Sequence, residues 1–288
     1  MADWEKMQDE AINKLLKNNK SLRLGNSNEF DYERIAFGIP ALASQIVVNA
    51  QKVGGLTAWI DTELSWDSAW NEKCGVDTSK LIVSQPTNGE EALDNVRELM
   101  QAGVDVIVLD SIAGLVPTTV AEEEFSYNPI AWQARFVNSS LPKLLPNLQY
   151  GSALVAINQV RASMGPVALD NMPGGMAQAF FAHFLMQVRR SGWIEENKQR
   201  VGFDMEVRLR KTKVGGENWR SATVPFRVEG GIDIVESYIR EGVERKLIVQ
   251  GGAWYTYKEN KVQGLNGLKA FFMENDTLFK ELQDELTS

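Results

Sequence analysis

Several things are scarce in this chain of 288 residues, and each scarcity excludes something. Cys74 is the only cysteine, so internal disulfides and thiolate metal clusters are ruled out, and a reducing cytoplasm is the expected setting. His183 is the only histidine and lies within the apolar run AFFAHFLMQV (179–188), where a structural, partly buried ring is expected rather than a catalytic one. No apolar run approaches the roughly 20 residues of a membrane span, and the chain opens as an acidic, polar helix rather than a signal peptide. Positive charge is also short. With a formal net charge of −8, any nucleic-acid contact has to come from a local basic patch. Finally, no stretch fits the phosphate-loop pattern G-x-x-x-x-G-K-[ST].

What is present is a chain with 44% hydrophobic residues, enough for one large core and a small satellite domain. Residues 4–18 space Trp4, Met7, Ala11, Ile12, Leu15 and Leu16 as one face of a helix. From about 32 to 228, strand and helix patterns alternate, as in a parallel α/β sheet. The expected elements are a helix over 42–52, a strand over 56–61 and a helix over 88–101 with a Thr87/Glu90 capping box. A strand over 104–110, a long loop over 111–128, a helix over 130–149 and a strand over 153–158 follow. A segment rich in Gly, Met and Pro (159–175) comes next, and beyond about 230 the pattern is that of a small α+β unit.

Three apolar runs turn polar only at their last residues. TAWIDTE (57–63) ends in Asp61 and Glu63, VDVIVLDS (104–111) in Asp110 and Ser111, and ALVAINQ (153–159) in Asn158 and Gln159. Open parallel sheets bind ligands outside the carboxyl ends of their strands, so three such ends point to one shared site. A helix cap or loop solvation would equally place a single Asp after a strand. Asp110 is suited to hold Mg²⁺ through water. Glu63 is suited to orient an attacking water, and Gln159 to report a bound phosphate to the loop it begins.

The blocks AWIDTE, CGVD, SQPTNGEEAL, VDVIVLDSIAGLVP, INQVRASMG, PGG and RKTK occur in order between SLRLG (21–25) and GAWYTYK (252–258). In these blocks the chain resembles the RecA recombinases of bacteria and phages. The resemblance implies an α/β fold: a mostly parallel, twisted RecA-type sheet flanked by helices, with an N-terminal helical arm and a small C-terminal α+β domain. The implied divisions are a polymerisation arm over 1–30, an ATPase and DNA-binding core over 31–230 and a small domain over 231–288. The implied activity is ATP- and Mg²⁺-dependent filament formation on single-stranded DNA, followed by pairing with homologous double-stranded DNA in recombination and repair. The resemblance implies no membrane partner.

Residue by residue, the resemblance makes Glu63 the catalytic glutamate, Asp110 with Ser111 the metal-side strand end, and Gln159 the coupling glutamine. Trp70 stands where the family has an adenine-stacking tyrosine, with Asp67 near the exocyclic amine. Lys211 and Lys213 resemble the two lysines that reach a neighbour's phosphates, although RKTK alone reads as a solvated strand edge. For DNA, the implied elements are the loops 112–130 and 159–175, with Arg135, Arg161, Met164, Gly174 and Gly175 at matching positions. A second family arginine is replaced by Pro142. Between 189 and 220 there are nine Lys/Arg against five Asp/Glu, the local basic excess that the composition demands.

One departure is large. The family carries a strand and the phosphate loop between segments like IAFGIPAL (35–42) and LASQIVVNAQ (42–51), and here the two run together. About five strand residues and the eight-residue loop are missing at least. Weak or absent ATP binding is therefore expected. Three readings remain open: an incomplete version of an active recombinase, a non-hydrolysing paralogue that binds single-stranded DNA or modifies filaments, and a defective product that scarcely folds.

Overall fold

A computed structural model describes residues 2–19, 22–24, 38–121, 130–159, 177–215 and 220–287. It divides into two compact units, Met1–Leu185 with Thr212–Gly215, and Met186–Lys211 with Gly216–Ser288. Among the described residues, no helix is long and apolar enough to cross a membrane.

The first unit runs α1 (Ala2–Asn18), β1 (Leu22–Leu24), α2 (Gly38–Lys52), β2 (Thr57–Asp61), α3 (Ser68–Lys73), β3 (Leu81–Ser84), α4 (Gly89–Gln101) and β4 (Val106–Asp110). It continues through α5 (Thr118–Ala121), α6 (Ile130–Leu144), β5 (Ala153–Ala156) and α7 (Ala177–Phe181). Its sheet has the order β1-β3-β2-β4-β5; the last four strands are parallel and β1 is antiparallel to β3. Every residue of β2, β3 and β4 is buried, which is why these strands are apolar throughout rather than alternating. One face packs on α1, α4 and α6 through Ile12, Val96, Leu99 and Val137. The other packs on α2 through Ala43, Val47 and Val48. The fold is thus the expected parallel α/β sheet flanked by helices.

Several local expectations shift. The helix expected from residue 42 begins at Gly38 and runs unbroken across the junction where the phosphate loop would lie. Pro40 falls in its first turn, where a missing N–H costs nothing. The Ser44 hydroxyl bonds to Pro40 O at 3.0 Å and Asn71 Oδ1 at 2.7 Å. With the intervening strand gone, no breaker separates the two segments, and they fuse. The cap of α4 lies one residue later than expected: Asn88 Oδ1 accepts from Glu91 N at 2.9 Å. Glu91 in turn accepts from Thr87 N, while Glu90 reaches Thr118 N instead. The helix expected over 130–149 ends at Leu144 and continues as 3₁₀ turns over Leu145–Tyr150, with Pro142 inside α6. β4 starts at Val106 and β5 ends at Ala156, and the loop after β4 carries α5. His183 is exposed rather than partly buried in a core.

The second unit contains most of β6 (Phe184–Glu196) and β7 (Gln199–Thr212), which with β8 (Ser221–Arg227) and β9 (Gly231–Ile232) form a sheet in that order. Then come α8 (Ile234–Glu244), a three-stranded antiparallel sheet of β10 (Ile248–Gly251), β11 (Trp254–Tyr257) and β12 (Asn260–Gln263), and finally α9 (Leu265–Glu274) and α10 (Asp276–Thr287). Tyr257, Leu268, Phe272 and Leu282 centre its core. The residues after 230 have the expected α+β character, although the compact unit they belong to also takes in Met186–Lys211 and the residues from Gly216 onward.

Candidate functional site

The parallel register pairs Asp61 with Asp110, so the β2 and β4 ends lie side by side. The crossing is fixed by Thr62. Its N–H donates to Asp110 O at 2.8 Å, its hydroxyl donates to Ser111 O at 2.8 Å, and the same oxygen accepts from Ser111 N at 2.9 Å. Gly114 lies so close that an added Cβ would stand 2.2 Å from Thr62 Oγ1, so only glycine fits.

Asp61 is fully buried and acts as a hub. Oδ2 accepts from Trp66 N at 2.9 Å and Gln85 Nε2 at 2.8 Å, and Oδ1 from Ser65 N at 3.0 Å and Glu63 N at 3.3 Å. These bonds bend the chain after β2 and hold Leu64 in the left-handed region at φ 54°, which a β-substituted residue adopts only when its surroundings over-determine it. Glu63 is thereby turned into solvent. Its Oε1 accepts the Ser111 hydroxyl and, at 3.2 Å, Gln159 Nε2. Gln159 also donates its backbone N–H to Asn158 Oδ1, and Asn158 bonds to Gln178. The three strand ends picked out by sequence therefore do converge on one site.

Asp110 is buried, and burial together with the neighbouring carboxylates of Asp61 and Glu63 pushes its pKa up to about 7. Among the described residues, no salt bridge reaches these three carboxylates, and no three His, Cys, Asp or Glu side chains converge to ligate a metal directly. The donor set suits a hydrated Mg²⁺ held through water at Asp110, since that ion keeps most of its waters. It does not suit the triphosphate of ATP: three carboxylates repel it, and α2 occupies the junction where the amide cradle and lysine would be.

The remaining sequence-derived residues lie elsewhere. Asp67 caps α3, accepting from Trp70 N at 2.9 Å, so its carboxylate already has a local task, and Trp70 is half-buried in that helix. Arg135, on α6, is exposed with its guanidinium 5.5 Å from the centre of the exposed Trp132 ring. Lys213 is exposed, its N–H donating to His183 O at 2.9 Å and Nζ to Phe181 O at 3.4 Å. Lys211 is the last β7 residue belonging to the second unit and is half-exposed. Within the basic stretch, Arg208 bonds to Glu206, and Arg190 and Arg200 stack over Trp193 at 4.2 and 4.5 Å. Arg161, Met164, Gly174 and Gly175 lie outside the described residues. Sequence reasoning missed Gln85 and the hub role of Asp61. The signal for Gln85 was a fourth apolar run turning polar at its end, LIVSQ (81–85).

Comparison with known proteins covers both units. Residues 30–233 match the family model of the RecA N-terminal domain and residues 238–288 that of the RecA C-terminal domain. Protein RecA of Acidothermus cellulolyticus is 35% identical over 254 residues, which span 86% of this chain and 73% of that protein. Protein RecA of Legionella pneumophila strain Corby is 33% identical over the same shares, and that of Frankia casuarinae 35%.

Proposed function

Because the chain belongs to the RecA family, we propose that it acts in homologous recombination and DNA repair, assembling as a helical filament on single-stranded DNA and pairing it with double-stranded DNA. The observation that carries this reading is the bond from Gln159 to Glu63. It ties the residue at the head of the second long loop to the carboxylate best placed to orient a water. A change at the carboxylate site would then move the start of a DNA-contacting loop, and the reverse.

On this reading residues 1–30 form the polymerisation arm, 31–230 the core and 231–288 the small domain, and the protein works in the cytoplasm. In the single chain, β1 pairs with its own β3, and Ile12, Leu15 and Leu16 of α1 pack on the same core. Assembly would exchange those contacts for a neighbour's. Lys211 and Lys213 are the residues we assign to a neighbour's phosphates, and Arg135, Arg161, Met164, Gly174 and Gly175 to DNA. Asp67 and Trp70 are the residues that would meet the adenine of any nucleotide that is bound.

ATP and Mg²⁺ are the family's ligands, but the chain's own residues do not cradle a triphosphate, so no hydrolytic step is derived from them. A second reading follows from the unbroken α2: a non-hydrolysing paralogue that coats single-stranded DNA without nucleotide. Fluorescence anisotropy with labelled single-stranded DNA, together with negative-stain imaging, separates the two. Filaments formed without nucleotide support the second reading. Micromolar, Mg²⁺-dependent ATP affinity by calorimetry would overturn the conclusion that the chain holds no triphosphate. Absence of DNA binding at low salt would defeat both.

A further inference from the structure

Gln178 is the one polar residue in the helix α7, AQAFF, and it is only 9% exposed. A carboxamide buried in this way must find partners, so the group it bonds is informative. Its Oε1 accepts from Asn158 Nδ2 at 2.8 Å, across 20 positions of sequence. Asn158 is used at both ends of its own carboxamide. While Nδ2 reaches α7, Oδ1 accepts Gln159 N at 2.9 Å and sets the direction in which the chain leaves β5. The Gln159 side chain then donates to Glu63 Oε1 at 3.2 Å. The base of this arrangement is firm, because Ile157 N donates to Leu109 O at 2.9 Å and Ile157 O accepts Ile112 N at 2.8 Å.

The other end of α7 holds a cation. Ala182 N donates to Gln178 O at 2.9 Å and closes the last turn. The final carbonyls of a helix lack partners within it. Here Phe181, half-buried against the core, offers its carbonyl to Lys213 Nζ at 3.4 Å, and His183 O accepts Lys213 N at 2.9 Å. A helix of five residues is too short to hold its own shape, so its contacts decide where it stands. Bonds therefore run from Glu63 through Gln159, Asn158 and Gln178 into α7, and from α7 to Lys213. All of these residues belong to the first unit.

We propose that Gln178 is a positioning residue that passes the state of the Glu63 carboxylate through α7 to Lys213. A change at Glu63 then moves a cation as well as the loop that Gln159 begins. What Lys213 does with that position rests on the phosphate assignment above, whereas the coupling does not.

The test uses the full chain and amide hydrogen exchange at Ala182 and Lys213, read by NMR. Glu63→Ala removes the acceptor of Gln159 and should speed exchange at both amides about fivefold, the factor that one ordinary hydrogen bond carries. Gln178→Met keeps the length of the side chain but not its acceptor, and in that background Glu63→Ala should add nothing. Gln178→Glu retains an acceptor and should restore the response. Effects that multiply in the Glu63→Ala, Gln178→Met double variant are those of a merely structural Gln178 and would overturn the proposal. So would exchange at both amides that is indifferent to Glu63→Ala in the parent chain. Should Gln178→Met fail to fold, Asn158→Ala breaks the same bond from a half-buried side chain, with the same expected outcome. Lys213→Ala, with filaments imaged as above, tests the phosphate assignment by itself. Undiminished assembly would overturn that assignment and leave the coupling standing.

Discussion

The Ser111 hydroxyl donates to Glu63 Oε1, joining the residue after β4 to the turn after β2 across 48 positions of sequence. Ser111 is buried and Glu63 exposed, so the bond holds a solvent-facing carboxylate from below. Ser111→Ala should cost about 1–2 kcal/mol in urea unfolding, the usual loss for a hydrogen bond to a charged group that water partly replaces. Combined with Glu63→Gln, the double variant should lose less than the sum of the two. Strict additivity would show that the two side chains are not coupled.

The carboxyl of Asp110 titrates near 7 in the folded chain and near 3.9 unfolded. Between those values the folded state holds a proton that the unfolded state has released, so stability falls as pH rises from about 4 to 7. Full ionisation would remove as much as about 4 kcal/mol. Asp110→Asn should therefore match the parent at pH 4 and exceed it at pH 8, in urea melts run without Mg²⁺. A parallel pH dependence in both proteins would refute the assignment.

Arg135 projects from α6 beside Trp132, with no acidic partner among the described residues. If it contacts a phosphate, Arg135→Ala should weaken single-strand binding at low salt and flatten the log–log salt dependence by about 0.7. An unchanged slope would remove it from the DNA surface.

In the second unit, Glu236 is 1% exposed and binds Arg227 at 2.7 Å, Arg240 at 2.6 Å and Lys269 at 3.3 Å. Burial alone would raise its pKa, but the hydrogen bonds from Arg227 and Arg240 outweigh that and hold it below the ordinary value. The resulting stability is present above the unfolded pKa and is lost as pH falls through the folded one. Glu236→Ala takes one partner from each of three half-buried cations, which keep Glu196 and Asp233, Asp204, and Asp233 respectively, and should cost about 1–3 kcal/mol in urea unfolding. A loss under 1 kcal/mol would mean that water reaches the cluster.

Burial on both faces imposes local apolar runs, and so β2, β4 and β5, with the polar residues that end them, could be read from sequence as the rim of one site. The absent phosphate loop was legible for the same reason, since its pattern is contiguous. Capping was less so: Thr87 and Asn88 both suit the position, and only the path of the chain into α4 selects Asn88. His183 sits in an apolar run yet is exposed in the bend before β6, because run composition does not say which positions a neighbour covers.

The sequence by itself therefore determined the parallel α/β architecture and the residue types at its strand ends. Tertiary structure alone decided that Asp61 turns inward to organise a loop while Glu63, two residues on, turns out to meet Ser111 and Gln159. It also decided that β5, as apolar as its neighbours, is the last strand of the sheet among the described residues. Strand patterns are set by residues two apart, but hydrogen-bond partners 48 and 96 residues apart meet only when the sheet closes its register.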